Sequence, residues 1–355
     1  MPVKACTPRR GKLVRVEISV AQAEWAPEPG WLNTASYGLP PRRAFDALQA
    51  HLADWRVGRT SWEGWDEATH RARQAYARLI GVDADDVCVG AQVSQVLAPV
   101  AAALAGKRFL VPDPEFTSNL FPWLVAGNVR TAPPSALAAQ VGPDTDVVAF
   151  SLVQSADGAV ADYAATVAAA RAHGALVIVD ATQGCGWLPF DGSLADVVVT
   201  GTYKWLMSPR GSALAYLAPA LRERLTPHAA GWYAGEDVHG SYYGPPLRLA
   251  KTARRFDISP SWPVYVGTAP ALELVEEIGV SAIRDHNVGL ANRFLAGLGR
   301  EPGNSAIVAV DVPGAERRLA RAGVRAAVRA GRVRASFHVY TTESDVDSAL
   351  TALTS

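Results

Sequence analysis

The sequence predicts an α/β fold with a mainly parallel sheet, and three observations support this prediction. Short runs rich in β-branched residues alternate along the chain with Ala-rich stretches of helical pattern. The runs Leu176–Val179 and Val197–Val199 are apolar without alternation, as in strands that are buried on both faces. Glycine, proline or aspartate bounds most of these runs. Together these features are typical of a layered α/β domain.

Six runs are predicted to form the sheet: Asp86–Ala91, Arg108–Pro112, Asp146–Ser151, Ala175–Asp180, Asp196–Thr200 and Ser212–Leu217. Helical patterns between and before them cover Val93–Ala105, Tyr163–His173, Phe45–Trp55 and Thr69–Ile80. The stretch 229–263 is rich in glycine, proline and aromatic residues and has little periodicity, so we expect long functional loops there.

A smaller C-terminal unit is expected after the predicted helix Ala269–Gly279. It contains two strands, Ser305–Val310 and Arg332–Phe337, a helix near Ala315–Ala322 and a closing helix from Ser344. The predicted organisation is an N-terminal segment of residues 1–30, a large domain of residues 31–265 and a small domain of residues 266–355.

Composition excludes several classes of partner. The 34 Lys and Arg residues balance 34 Asp and Glu residues, so there is no electrostatic reason to expect nucleic acid or an acidic membrane. No run approaches 18 apolar residues, so no membrane span is predicted. The three cysteines are far apart and the seven histidines lack ligand spacing, which predicts no metal site and a reducing, cytoplasmic location.

Polar residues follow the ends of two neighbouring strands. Asp180 closes one apolar run, Gln183 comes three residues later, and Lys204 follows the next run between Tyr203 and Trp205. In open α/β sheets, ligands bind beyond the carboxyl ends of the strands. We therefore expect these side chains to share a site.

The residue types at this site match the needs of an aldehyde cofactor. Such a cofactor takes an amine to form an imine, a carboxylate to keep its pyridine nitrogen protonated, and donors for its phosphate at a helix N-terminus. Lys204 and Asp180 supply the first two, and the backbone of Gln92 and Val93 with the Ser94 hydroxyl supplies the third. The constellation predicts pyridoxal 5′-phosphate (PLP), held by Lys204 as a Schiff base.

With these motifs, the sequence resembles the class V aminotransferase-like group of PLP enzymes of fold type I. Cysteine desulfurases, kynureninases, isopenicillin N epimerase-like proteins and C–S lyases belong to it. The strongest match is Asp180–Gln183 with Gly201–Leu206 and Pro209–Gly211, and the resemblance extends from Leu32 to Glu343. It implies a large domain with a mainly parallel seven-stranded sheet between helices, a small C-terminal α/β domain, and a homodimer that shares active sites.

The resemblance also implies roles for single residues at the cofactor. Asp180 would pair with the pyridine nitrogen, Gln183 would contact the phenolic oxygen, and Phe116 would stack on the ring. Tyr203 takes the place of a phosphate-binding residue just before Lys204. Residues 254–257 and 259–262 resemble, more loosely, the segment that reaches the neighbouring subunit's cofactor.

Two residues are predicted to bind an amino-acid substrate. Arg334 matches the arginine that grips the α-carboxylate, since a guanidinium makes two parallel bonds to a carboxylate. A solvated basic face shared with Arg325, Arg329 and Arg332 is the competing interpretation. Asn33 is the second predicted substrate residue.

Differences between this sequence and the family pattern reduce the number of possible reactions. Cysteine desulfurases need a mobile cysteine in the C-terminal part, and no cysteine follows Cys185 here. Those enzymes also stack a histidine where this chain has Phe116, which cannot move protons. The aromatic residues of the loop His228–Leu247 would line either a substrate wall or a dimer interface.

Three functions are the main candidates at this point, and epimerisation at Cα also stays open. The first is β-elimination from an α-amino acid by a C–S lyase that acts on a cysteine S-conjugate. Likeness to actinobacterial secondary-metabolism members of the group favours it, on the segments Leu32–Gly38 and Gly231–Asp237. The second is transamination. The third is a PLP-fold protein that binds without catalysis.

Overall fold

The computed structural model describes residues 15–354. The α-helices in this range are α1 (Ile18–Ala21), α2 (Arg42–Arg56), α3 (Trp62–Ile80), α4 (Val93–Ala103), α5 (Thr117–Ala126), α6 (Tyr163–Ala172), α7 (Pro219–Arg222), α8 (Trp262–Ile278), α9 (Val280–Gly297), α10 (Ala315–Arg321) and α11 (Glu343–Thr354). The strands are β1 (Val87–Gly90), β2 (Arg108–Pro112), β3 (Asn128–Ala132), β4 (Val147–Ser151), β5 (Leu176–Asp180), β6 (Val197–Gly201), β7 (Ala213–Leu217), β8 (Ile307–Val310), β9 (Ala327–Arg329) and β10 (Arg332–Ser336).

The large sheet has seven strands in the order β1-β7-β6-β5-β4-β2-β3. Strands β2 to β6 run parallel, and β7 lies antiparallel to both of its neighbours, β6 and β1. This confirms the mainly parallel seven-stranded sheet. Strand β3 and helix α5 were not predicted. Strand β3 lies at the sheet edge and is largely solvent-accessible, so its sequence lacks the apolar run that marks the central strands.

Both faces of the central strands are buried. In β5, Val177 and Val179 join the core on one face, and Ile178 joins the core on the other. In β6, Val198 belongs to the first core and Val197 to the second. Because successive strand residues point to opposite faces, an unbroken apolar run is what a doubly covered sheet requires.

The C-terminal unit is a three-stranded antiparallel sheet, ordered β8-β10-β9, with helices packed on it. Its own core includes Phe294, Val333 and Phe337. Strand β9 and helix α9 were not predicted. Helix α8 begins seven residues before the predicted helix and runs across the predicted boundary at residue 265. The division into domains stays a prediction.

A buried ion pair connects α3, β1 and the loop before α8. Arg73 donates to Asp257 at 2.5 Å and also to the carbonyl of Val87. The other oxygen of Asp257 accepts the Val89 N–H at 2.7 Å. The pair therefore fixes the strand that leads into α4. No helix within residues 15–354 has the length and apolar character needed to cross a membrane.

Candidate active site

A cavity of about 180 Å³ lies beyond the carboxyl ends of β4, β5 and β6. All the residues predicted to bind the cofactor line it: Gln92, Val93, Ser94, Phe116, Asp180, Gln183, Tyr203 and Lys204. Sequence reasoning gave no role to the seven further lining residues: Thr117, Ser118, Ser151, Ser155, Thr182, Gly201 and Arg210. Ser155 follows the end of a central strand, so the rule that placed Asp180 could have found it.

Lys204 is buried in the turn between β6 and β7, with 6% of its surface exposed. Burial lowers the pKa of its amine to about 8, although the charge of Asp180 acts in the opposite direction. The amine nitrogen lies 5.5 Å from the ring centroid of Phe116 and 5.6 Å from that of Tyr203. A buried lysine with a depressed pKa is suited to nucleophilic chemistry because its neutral form is accessible near neutral pH.

Contacts from distant segments fix the backbone of this turn. The Gly38 N–H donates to the Tyr203 carbonyl at 2.9 Å. His338 is buried, and its Nδ1 accepts the Val339 N–H at 2.7 Å, so its proton lies on Nε2. That Nε2 donates to the carbonyl of Trp205 at 3.0 Å. Lys204 is therefore held from both sides.

Asp180 ends β5 and is buried. One oxygen accepts the Thr182 N–H at 2.8 Å, and the Thr182 hydroxyl accepts the Gly201 N–H at 2.9 Å. Burial raises the pKa of Asp180, while hydrogen bonds from Thr182 and the charge of Lys204 oppose that rise. The carboxylate thus has a fixed orientation towards the cavity that it shares with Lys204.

Gln183 has protein partners on both sides of its amide. Its Nε2 donates to the Ala35 carbonyl at 2.9 Å and to Ser155 Oγ at 3.1 Å, and its Oε1 accepts Trp205 Nε1–H at 2.7 Å. Gln183 and Ser155 both line the cavity, so the hydrogen bond between them lies at its wall. The expected contact with the cofactor's phenolic oxygen stays a prediction.

Arg334 lies on β10 with only 1% of its surface exposed. It donates to the carbonyl of Ser155, to Ser155 Oγ at 3.1 Å and to Ser36 Oγ at 2.8 Å, while its buried Nε has no partner. Burial and the charge of Arg329 lower its pKa to about 10. No carboxylate in the described part of the chain pairs with it. The interpretation as a solvated basic face is therefore wrong.

Asn33 does not line the cavity, but its segment does contact the site. It forms a backbone bridge with Ser336, and its buried Oδ1 has no hydrogen-bond partner. The residues that follow it, Ala35 and Ser36, accept hydrogen bonds from Gln183 and Arg334. Its predicted role in substrate binding stays a prediction.

Comparisons with known proteins give the family. The model of the class V aminotransferases matches residues 56–319. The chain belongs to this family. It is 30% identical to an uncharacterized aminotransferase, YcbU, of Bacillus subtilis over 68% of this chain and 67% of that protein. Isopenicillin N epimerase of Streptomyces clavuligerus is also 30% identical, over 77% of this chain and 76% of that protein.

A solved structure matches the fold over almost the whole chain. It is the cystine C–S lyase C-DES in complex with its reaction product, cysteine persulfide. The TM-score is 0.81 at 22% identity, with 92% of this chain and 97% of that chain covered. This confirms PLP fold type I.

Class V aminotransferases are PLP enzymes, and the residues of this site fit that cofactor. A buried lysine with a lowered pKa, a buried carboxylate at a strand end and the first turn of α4 line one cavity. When bound, PLP draws electrons from the Cα of an attached amino acid. The chain is therefore a PLP-dependent enzyme, and we set aside the hypothesis of a protein that only binds.

Sequence reasoning missed a buried carboxylate beneath the aromatic residue. Glu115 accepts the backbone N–H groups of Phe116 at 2.9 Å and Ser151 at 2.7 Å. Burial raises the pKa of Glu115, and the hydrogen bonds from Ser151 oppose that rise. Glu115 thereby fixes the backbone from which the half-exposed Phe116 ring reaches the cavity mouth.

Two predicted segments make contacts away from the cavity. Arg254 donates to the carbonyls of Tyr233, Gly235 and Glu236, at 3.0, 2.6 and 3.0 Å. Trp232 packs against Trp62, with ring centroids 5.4 Å apart. Neither Arg254 nor the aromatic residues of the loop 228–247 line the cavity in the described chain. A contact of Arg254 with a neighbouring subunit's cofactor stays a prediction.

Proposed function

We propose that the enzyme is a lyase that removes a β-substituent from an α-amino acid, with a cysteine S-conjugate as its substrate class. The observation that carries the amino-acid part is Arg334, a buried guanidinium without a carboxylate partner among residues 15–354. Leaving a buried charge unpaired is costly, so the site is suited to a carboxylate that arrives with the substrate.

Lys204 has two tasks in this proposal. It binds the cofactor covalently, and after the substrate amine displaces it, the free amine accepts the proton of Cα. A pKa of about 8 suits both tasks because a general base works best with a pKa near the working pH. Loss of the Cα proton and cleavage of the Cβ–S bond release a thiol, and hydrolysis of the remaining fragment gives pyruvate and ammonia.

The other site residues serve binding and orientation. We assign Asp180 to the pyridine nitrogen and Gln183 to the phenolic oxygen. Phe116 covers the ring, and Asn33 lies on the substrate side. For the phosphate we assign the start of α4 together with the side chain of Tyr203, listed as Gln92, Val93, Ser94 and Tyr203.

The lack of a desulfurase cysteine supports a lyase over a desulfurase. No cysteine follows Cys185 in the sequence, and Phe116 has no proton to exchange. The structural likeness to a cystine C–S lyase is in keeping with elimination as the reaction. We place this activity in secondary metabolism.

Transamination is the second candidate, and the relative YcbU, described as an aminotransferase, favours it. The same residues would bind the cofactor and accept the Cα proton. The two reactions differ in where the proton goes next: transamination delivers it to the cofactor carbon, and elimination expels the β-substituent instead.

Product analysis separates these candidates. The PLP-loaded enzyme is incubated with cysteine S-conjugates and, separately, with ordinary amino acids. Pyruvate and a free thiol, with the visible absorption band of the cofactor retained, support the lyase. Conversion of the cofactor to its amine form, together with an α-keto acid that keeps the substrate side chain, would instead establish an aminotransferase. Lys204→Ala is the control and is expected to abolish turnover in either case.

We further propose a cytoplasmic homodimer. Exposed apolar side chains of α5, Phe121 and Val125 among them at 58% and 89% exposure, line a groove that shares Ser94, Thr117 and Ser118 with the cavity. Light scattering should give twice the mass of 37.6 kDa. Val125→Asp should weaken the dimer, whereas Val20→Asp, at an exposed valine on α1, should leave it intact. A wild-type monomer at micromolar concentration would refute this part.

A further inference from the structure

Arg210 is a cation in the cavity that has no role so far. Among the residues described as lining this cavity, Lys204 and Arg210 are the cationic ones and Asp180 is the acidic one. Lys204 is used for the covalent bond to the cofactor. The roles assigned so far in cofactor and substrate binding do not use the positive charge of Arg210.

The side chain of Arg210 has a defined position although it is solvent-accessible. Its guanidinium carbon lies 4.9 Å from the ring centroid of Tyr203, a cation–π contact. Its backbone N–H donates to the hydroxyl of Tyr37 at 3.3 Å. No acidic side chain in residues 15–354 forms an ion pair with it. Arg210 is thus oriented by the aromatic ring and keeps its charge for a ligand.

Charge balance indicates which ligand group needs it. A phosphate monoester carries roughly −1.5 to −2 at neutral pH. The start of α4 offers about half a positive charge, and hydroxyl groups such as that of Ser94 offer none. The negative charge of Asp180 is balanced by the protonated pyridine nitrogen, and the positive charge of Arg334 is balanced by a substrate carboxylate. A phosphate held only by the start of α4 and by neutral donors would keep about one to one and a half negative charges uncompensated.

We propose that Arg210 binds the phosphate group of the cofactor, next to Tyr203 and the first turn of α4. This inference rests on the proposed placement of the phosphate at Ser94 and Tyr203. Arg210, Ser94 and Tyr203 line the same cavity, and the stacking of Arg210 on Tyr203 puts the guanidinium at that end of it. The same oxyanion chemistry would also suit a second acidic group on a substrate, so the test separates these two sources.

Cofactor binding without turnover provides the test. The dissociation constants of PLP and of pyridoxal, which lacks the phosphate, are measured by absorbance titration of the apo-enzyme. Arg210→Ala should weaken PLP binding on the order of ten- to one-hundred-fold and leave pyridoxal binding unchanged. Arg210→Lys should recover part of the loss, because a lysine keeps the charge without the forked geometry. Arg300→Ala, at an exposed arginine outside the cavity, is the matched control.

Two outcomes would overturn the proposal. Equal weakening of PLP and pyridoxal would mean that Arg210 only supports Tyr203. Unchanged binding of both, with a raised KM for substrates that carry a second anionic group, would assign Arg210 to the substrate. The PLP and pyridoxal titrations do not depend on the reaction type, so a failed lyase assay leaves the test of the phosphate contact intact. Thermal melts of the apo-proteins identify any variant that fails to fold.

Discussion

At the scale of single residues, burial gives Lys204 its chemistry. Its pKa is lowered to about 8 from the ordinary 10.5, so the neutral amine dominates above about pH 8. We expect the rate at which the apo-enzyme captures PLP to rise with pH and to reach half its maximum near pH 8. Stopped-flow absorbance measures this rate.

The Asp180→Asn variant sharpens the same experiment. The carboxylate raises the pKa of Lys204, so its removal should move the midpoint below 8. A midpoint near 10.5 in the wild type would contradict the buried position of the amine.

Arg334 is a residue whose burial and lack of an acid partner define a function. Arg334→Ala should raise KM for amino-acid substrates on the order of one-hundred-fold, because two charged hydrogen bonds to the α-carboxylate are lost. The PLP content should stay unchanged. Arg332→Ala is the matched control: that arginine is on the same strand, and its half-exposed side chain reaches Asp157 at 3.9 Å. Equal KM values for the two variants would show that Arg334 does not bind the substrate.

At the scale of elements, the Lys204 turn and the segment 33–38 are packed backbone against backbone. A methyl group added at Gly38 would lie 1.9 Å from the Lys204 carbonyl oxygen. Gly38→Ala should therefore displace the turn, with a loss of roughly 1–3 kcal/mol in the free energy of unfolding and reduced PLP incorporation. Urea denaturation and the cofactor absorbance measure the two effects.

Gly64→Ala provides the control for that prediction. Gly64 lies within α3 and has open space where the methyl group would go, so alanine should be neutral or slightly stabilising there. Wild-type cofactor content in Gly38→Ala would show that the turn accommodates the methyl group.

The central strands, which are buried on both faces, could be predicted from the sequence. Strands β5 and β6 are unbroken valine-rich runs, and their ends led directly to Asp180 and Lys204. Strand β3 was not predicted because it lies at the sheet edge, where a strand needs no apolar run. Helix α5 was not predicted because it contains Pro122 and has little amphipathic pattern.

Part of the site could not be predicted from the local sequence pattern. Ser155 lies between Gln183 and Arg334, and Glu115 lies under Phe116. Ser155 is 28 residues from Gln183 and 179 from Arg334, and Glu115 is 36 residues from its partner Ser151, so no periodicity in the sequence indicates these contacts. Arg334 itself had two interpretations until its burial was known.

At the scale of the whole molecule, the buried pair of Arg73 and Asp257 connects helices to the sheet. Asp257→Ala would leave the guanidinium of Arg73 buried without a carboxylate, which costs about 3–5 kcal/mol. Chemical denaturation should show this loss. Asp347→Ala removes the partner of Arg293 in a solvent-exposed pair and should change stability far less. Similar losses in both variants would mean that Arg73 finds another partner.

The position of Arg334 has a consequence for biosynthesis. Arg334 on β10, near the C-terminus, donates to Ser36 in the segment 33–38 and to Ser155, which lines the cavity. A nascent chain on the ribosome can form β4 to β6 and the turn that carries Lys204 before β10 exists. The part of the site that contains Arg334, however, can form only when translation has almost finished. A protein truncated before β10 would thus have its reactive lysine but not the arginine that positions a substrate.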